Sequence, residues 1–224
     1  VTARVLVVCT ANICRSPLAE RLLQAYLDRY APDAEVEVTS AGTHARPGDR
    51  AATGMRDIAE QWGLDLSGHR SRRIDASMVL SHQLVLTMQD AHRSSVARLG
   101  RVLTARTFMV TELAAIIEAP SPTIAPDDRD APDDRDDDRD APDDRDGRDD
   151  RDDHLTPPIR LQRAVTAWHG TRARIATGAK DVTDPYGGSA QGYLDTAWEL
   201  ADLIERLGPT LADVLSGTQR TTDA

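Results

Sequence analysis

Cys9 and Arg15 enclose the five residues Thr10, Ala11, Asn12, Ile13 and Cys14, and Ser16 and Pro17 follow directly. A thiol and a guanidinium at that spacing can share one ligand if the chain between them curls. Successive backbone N–H groups then converge on a point and form an anion nest. A phosphate dianion in such a nest is held by main-chain amides, by the positive end of a following helix and by the bidentate fork of Arg15. The same field favours the thiolate of Cys9, which is the nucleophilic form of sulfur. Anion binding and nucleophile activation thus have one physical cause. Composition alone yields a Cys-x5-Arg-Ser/Thr pattern in about one chain in fifty of this length, so its placement matters.

The placement is between a strand and a helix. Residues 4–8 form a short apolar run that reads as a buried strand, and residues 17–30 read as a helix with Pro17 in its first turn and Leu18, Leu22, Leu23 and Tyr26 on one face. Further strands are expected at 35–39, 84–87 and 107–110, with helices at 49–62, 90–99 and 112–118, the last capped by Thr111. Two more helices are expected at 157–175 and at 189–215, the second interrupted near Gly208-Pro209. Between them lies the loop Asp184-Pro185-Tyr186-Gly187-Gly188, in which an Asp-Pro pair is by itself a common turn start. The alternation predicts an α/β fold of three layers, a short central parallel sheet of about four strands with helices on both faces.

The formal net charge of −10 does not describe the folded part. Residues 126–153 hold 16 Asp and 6 Arg, an excess equal to the whole net charge, so the remainder is neutral. No basic footprint for nucleic acid is present. Residues 125–130, 131–136 and 141–146 are each Ala-Pro-Asp-Asp-Arg-Asp. Dense like charge and repeated Pro without apolar residues predict a disordered insert at 121–153, either a tolerated loop expansion or a docking tail for a basic partner. The expected organisation is one domain made of 1–120 and 154–215, this insert, and a flexible tail at 216–224. No apolar stretch approaches about 18 residues, and residues 1–8 read as a strand rather than a secretion signal, so no membrane partner is expected. Cys9 and Cys14 are the sole cysteines. Their spacing fits neither zinc ligands nor a structural disulfide framework, so no metal or other cofactor is expected and a reducing, cytoplasmic setting is. The place of Cys14 inside the loop instead suggests a reversible disulfide with Cys9 that shields the nucleophile from over-oxidation.

The segments Val5-Leu6-Val7-Val8-Cys9 and Arg15-Ser16-Pro17-Leu18-Ala19-Glu20 resemble the signature of the low-molecular-weight protein tyrosine phosphatases. The resemblance continues through Thr39-Ser40-Ala41-Gly42-Thr43, Leu66-Ser67-Gly68-His69-Arg70-Ser71-Arg72, Val85-Leu86-Thr87-Met88 and Asp184-Pro185-Tyr186-Gly187. It implies hydrolysis of protein phosphotyrosine through a cysteinyl-phosphate, with Cys9 as nucleophile, Arg15 and the amides of Thr10 to Ser16 as phosphate ligands, and Asp184 as general acid and then base. It also implies that Ser16 donates to the Cys9 sulfur, that Ser40 and His69 hold Asn12, and that Tyr186 walls the substrate ring. Gly187 after Tyr186 matches bacterial members, whose substrates include tyrosine kinases; some act as effectors after secretion. The stretch from Ser40 to Gly48 lacks the large aromatic that many relatives use as a second wall. Two other activities share the scaffold. A protein-arginine phosphatase tends to carry Thr where Ile13 stands, and an arsenate reductase needs cysteines beyond the loop.

Overall fold

A computed structural model describes residues 1–119, 155–174 and 178–218. The expected disordered insert and the last residues of the expected tail lie outside the described residues.

Strand β1 (Ala3–Cys9) alternates its side chains between two cores, as the two-residue period of a strand requires. Val5, Val7 and Cys9 enter one apolar cluster with Leu18, Leu23, Leu113, Leu161 and Leu203. Leu6 and Val8 enter another with Ile74, Val79, Val85 and Val96. Burial on both faces explains why this strand reads as an unbroken apolar run. It is central in a four-stranded sheet of order β2-β1-β3-β4, with β2 Val36–Gly42, β3 Leu84–Thr87 and β4 Thr107–Met109. All three pairings are parallel, with Val5 beside both Val38 and Leu84.

On the first face lie α1 (Arg15–Tyr30), α2 (Thr53–Gln61), α5 (Val110–Glu118), α6 (Pro157–Thr171) and α7 (Ala190–Ser216). On the second lie α3 (Ala76–Leu80) and α4 (Asp90–Leu99). The chain is therefore a three-layer α/β fold. Helix α6, which follows the break in the described chain, places Leu161 and Val165 in the same core as β1. Arg172 fastens the end of that stretch to the sheet. It donates to the Thr107 carbonyl at 2.5 Å, pairs with buried Glu112 at 2.9 Å, and lies 4.2 Å above the Phe108 ring.

Three local expectations need correction. Helix α7 is not interrupted at Gly208-Pro209; it runs through Pro209 to Ser216. Proline removes one ladder hydrogen bond, but Gly208 lets α7 press against Tyr26 so closely that a Cβ there would fall 2.5 Å from the ring. Thr111 does not cap α5, which begins one residue earlier; Glu112 accepts the Met109 N–H at 3.2 Å, and Thr111 donates instead to the Lys180 carbonyl at 2.8 Å. Helix α2 starts at Thr53 rather than at 49.

Candidate active site

Cys9 ends the central strand at the carboxyl edge of the sheet, where the chain connections diverge to β2 on one side and β3 on the other. Open α/β sheets bind ligands at such a point. The six residues from Cys9 reach Arg15, the first residue of α1, and no side chain caps that helix. Its leading N–H groups therefore lack side-chain acceptors and face an anion readily.

The loop keeps its curl through Asn12, which has φ of 56° and is the only non-glycine residue with positive φ among the described residues. Asn12 is fully buried, and every side-chain polar atom is used. Its Nδ2 donates to Ser16 Oγ at 2.9 Å and to Ser40 Oγ at 2.8 Å, while Oδ1 accepts the Arg72 N–H at 2.9 Å. The Asn12 carbonyl accepts from His69 Nε2 at 2.7 Å. Burial lowers the His69 pKa, so the neutral ring places its proton on Nε2. Strand β2 closes over the loop at Gly42, where a Cβ would lie 2.6 Å from the Thr10 carbonyl oxygen.

Proton bookkeeping then fixes the surroundings of the nucleophile. Ser40 Oγ accepts from Asn12 and donates to Glu20 Oε2 at 2.6 Å. Ser16 Oγ accepts from Asn12, which leaves its own proton for Cys9 Sγ, 3.0 Å away. The Asn12 backbone N–H also points at that sulfur, at 3.3 Å. Two donors thus converge on one sulfur.

Arg15 is 1% exposed. Its Nη1 donates to the Val182 carbonyl at 3.0 Å, and its Nη2 donates to Thr10 Oγ1 at 3.3 Å and to Asp184 Oδ2 at 2.5 Å. Its Nε has no partner among the described residues, so donor capacity is left for an oxyanion. Asp184 is placed from the far end of the sequence. Val182 donates to the Met88 carbonyl just beyond β3 at 2.9 Å, and Asp184 Oδ1 accepts the Tyr186 N–H at 3.3 Å. Cys9, Thr10, Ala11, Ile13, Cys14, Arg15, Asp184 and Tyr186 line one cleft of about 120 Å³. Tyr186 is 66% exposed at its rim.

Cys9 and Cys14 are both buried free thiols. Burial, reinforced by Cys9 and Asp184, pushes the Cys14 thiol up to about 12. Cys14 is thus a neutral thiol beside a site built for negative charge.

The structure brings together every candidate residue read from the sequence. Sequence reasoning missed Glu20, Arg72, His92 and Tyr193. Glu20 and Arg72 stand inside segments whose pattern was legible, but their partners are 20 and 60 residues away. His92 contacts Thr10 Oγ1 through Nε2 at 2.9 Å across 82 residues, with no signal in its surroundings. The Tyr193 ring packs on Gly54, and its hydroxyl is near enough to Cys14 to oppose the rise in that thiol's pKa.

A family model described as low molecular weight phosphotyrosine protein phosphatase matches residues 4–123. The low molecular weight protein-tyrosine-phosphatase Etp of Escherichia coli K12 is 35% identical over 118 residues, 53% of this chain and 76% of Etp. Wzb of the same strain is 36% identical over an alignment of the same extent. Among solved structures, the YwlE arginine phosphatase from Geobacillus stearothermophilus superposes with a TM-score of 0.62 at 22% identity, covering 98% of this chain and 99% of that one. Vibrio vulnificus Wzb in complex with benzylphosphonate gives 0.59 at 17% identity, covering 93% and 98%. At these identities the structural likeness speaks for the fold.

Proposed function

Because the chain belongs to the low molecular weight phosphotyrosine protein phosphatase family, we propose that it hydrolyses protein phosphotyrosine with Cys9 as nucleophile and Asp184 as proton donor. The observation that carries this reading is the pairing of two donors on Cys9 Sγ with the buried Arg15 guanidinium, Cys9 and Arg15 lining one cleft. Sulfur attacks phosphorus in line, and the S–P bond forms as the P–O bond to the tyrosyl oxygen breaks. Asp184 delivers the proton that the leaving oxygen needs. Water then attacks the cysteinyl-phosphate, giving its proton to Asp184 and releasing phosphate. Phosphoryl transfer depends mainly on positioning and charge stabilisation, which Arg15 and the loop amides supply. Ser16 steadies the sulfur as it leaves; Asn12, Ser40 and His69 hold the loop, and Tyr186 offers its ring to the substrate's.

Ile13 favours an aryl ester over a guanidinium. It lines the cleft with a branched apolar side chain, which suits a phenyl ring but itself offers no acceptor to the N–H groups of a phosphoarginine. An arsenate reductase would need relay cysteines outside the loop, and the sequence has only Cys9 and Cys14, both within it. The protein substrate suggested by the family resemblance is an autophosphorylating tyrosine kinase.

A side-by-side assay on phosphotyrosine, phosphoarginine and arsenate tests the reading. Phosphotyrosine should be turned over in the presence of a chelator, and Cys9→Ser should abolish turnover while still binding phosphate. Faster release of phosphate from phosphoarginine, or an active Cys9→Ser protein, would refute it.

A further inference from the structure

We propose that the Thr10 hydroxyl donates a hydrogen bond to an oxygen of the bound phosphoryl group, and that His92 is the positioning residue that turns it there. The inference rests on the phosphatase reading and adds one substrate contact to it.

Thr10 Oγ1 lies 2.9 Å from His92 Nε2 and 3.3 Å from Arg15 Nη2. Arg15 can only donate, so one lone pair of the hydroxyl is already committed. The direction of the second bond depends on where the His92 ring carries its proton. His92 is 3% exposed, and burial together with the charge of Arg15 holds its pKa at about 4, so the ring is neutral near pH 7. A neutral imidazole has one N–H. His92 Nδ1 is buried and has no hydrogen-bond partner among the described residues. A proton there would strand a buried donor, whereas a proton on Nε2 meets Thr10 Oγ1. The Nε2–H tautomer therefore wins, and His92 donates as Arg15 does.

Both acceptor positions of Thr10 Oγ1 are then filled, and its own hydrogen must point elsewhere. Thr10 lines the same cleft as Cys9, Arg15 and Asp184, so a phosphoryl oxygen bound among these residues would be the acceptor for that hydrogen. A donor aimed at an oxyanion in a partly desolvated site carries a charge-assisted bond. His92 thus acts at one remove, by denying Thr10 the alternative of donating to the ring.

The test uses p-nitrophenyl phosphate hydrolysis, competitive inhibition by inorganic phosphate, and nitrogen-15 spectra of the His92 ring in the full chain. Thr10→Val should lower kcat/KM by about 10- to 100-fold and weaken phosphate inhibition, and Thr10→Ser should recover most of both. His92→Leu should resemble Thr10→Val, and His92→Gln should restore much of the loss, because its amide N–H can replace Nε2–H. The double variant Thr10→Val/His92→Leu should be no worse than Thr10→Val alone. The ring spectrum should show the Nε2–H tautomer near neutral pH. An Nδ1–H tautomer, wild-type kinetics and phosphate affinity in Thr10→Val, or losses that multiply in the double variant would overturn the proposal. If the wild-type protein itself failed to hydrolyse the ester, the phosphatase reading would fall, whereas phosphate affinity and the ring spectrum would still decide the role of Thr10.

Discussion

Arg15 Nη2 and Asp184 Oδ2 meet at 2.5 Å across the cleft, although the guanidinium is buried and the carboxylate is 43% exposed. In the proposed reaction the pair joins the group that grips phosphate to the group that gives up a proton. A phosphate dianion approaching Arg15 competes with this carboxylate and is repelled by it. Asp184→Asn should therefore have two opposite effects. Turnover of phosphotyrosine should fall by about 10²- to 10⁴-fold, with a smaller loss for esters whose leaving groups need no proton. Inorganic phosphate should inhibit the variant more strongly than the wild type. Steady-state kinetics with two esters and phosphate as inhibitor checks both, and equal losses on the two esters would remove Asp184 from the acid role.

The two cysteines should react very differently. Iodoacetamide near neutral pH should label Cys9 once and leave Cys14 untouched, because both thiols line the cleft but the Cys14 thiol is pushed up to about 12 while two donors converge on Cys9 Sγ. Hydrogen peroxide should oxidise the Cys9 sulfur to a sulfenic acid, which the Cys14 thiol then attacks, expelling water and forming a disulfide. Peptide mass spectrometry should find that bridge, and a reducing thiol should restore activity. In Cys14→Ala, inactivation by peroxide should become irreversible. A protein that recovers equally well without Cys14 would exclude the bridge.

Asn12 joins five neighbours, Cys9, Ser16, Ser40, His69 and Arg72, through a backbone angle that side chains rarely adopt. Asn12→Ala should cost about 2–4 kcal/mol of stability, since it strands buried partners and puts a Cβ without compensation at positive φ. Asn12→Gly relieves the backbone part but not the lost bonds, so it should fall between. Urea denaturation orders the three proteins, and phosphate affinity should fall in step.

Acidification should destabilise the fold before it touches most carboxylates. His69, His82 and His92 are all held below the usual histidine range by burial, and His92 lies at about 4. In that case the unfolded chain binds more protons than the native one below about pH 6.5. Stability is complete above that value and is lost as pH falls toward about 4. The loss from His92 is on the order of 3 kcal/mol. Melting temperature against pH should show the slope, and His92→Gln should flatten it. A profile unchanged by that substitution would show that His92 does not titrate on unfolding.

The sheet and the anion loop were legible because their signals are local. The run from Val5 to Val8 is apolar at every position since β1 is covered on both faces, and Pro17 marks the first turn of α1. What escaped depends on tertiary contact. Gly208-Pro209 reads as a break until Tyr26 is seen packed on it. Thr111 reads as a cap until Glu112 is seen to serve Met109 from within the helix. Helix α3 is five residues long, too short for a periodic pattern. His92 illustrates the limit most clearly, because nothing near it in the chain announces a bond to Thr10.

The proposed nucleophile Cys9 and the proposed acid Asp184 stand on opposite sides of residues 120–154 in the sequence, and among the described residues the sheet belongs wholly to the first stretch. Severing the polypeptide there would leave one fragment with a sulfur that has no proton source and another with a carboxylate that has nothing to serve. Reassociation through Leu161, Val165 and the long final helix would bring the two halves of the reaction back within reach. Turnover is then a meter of assembly, rising only as the second piece docks.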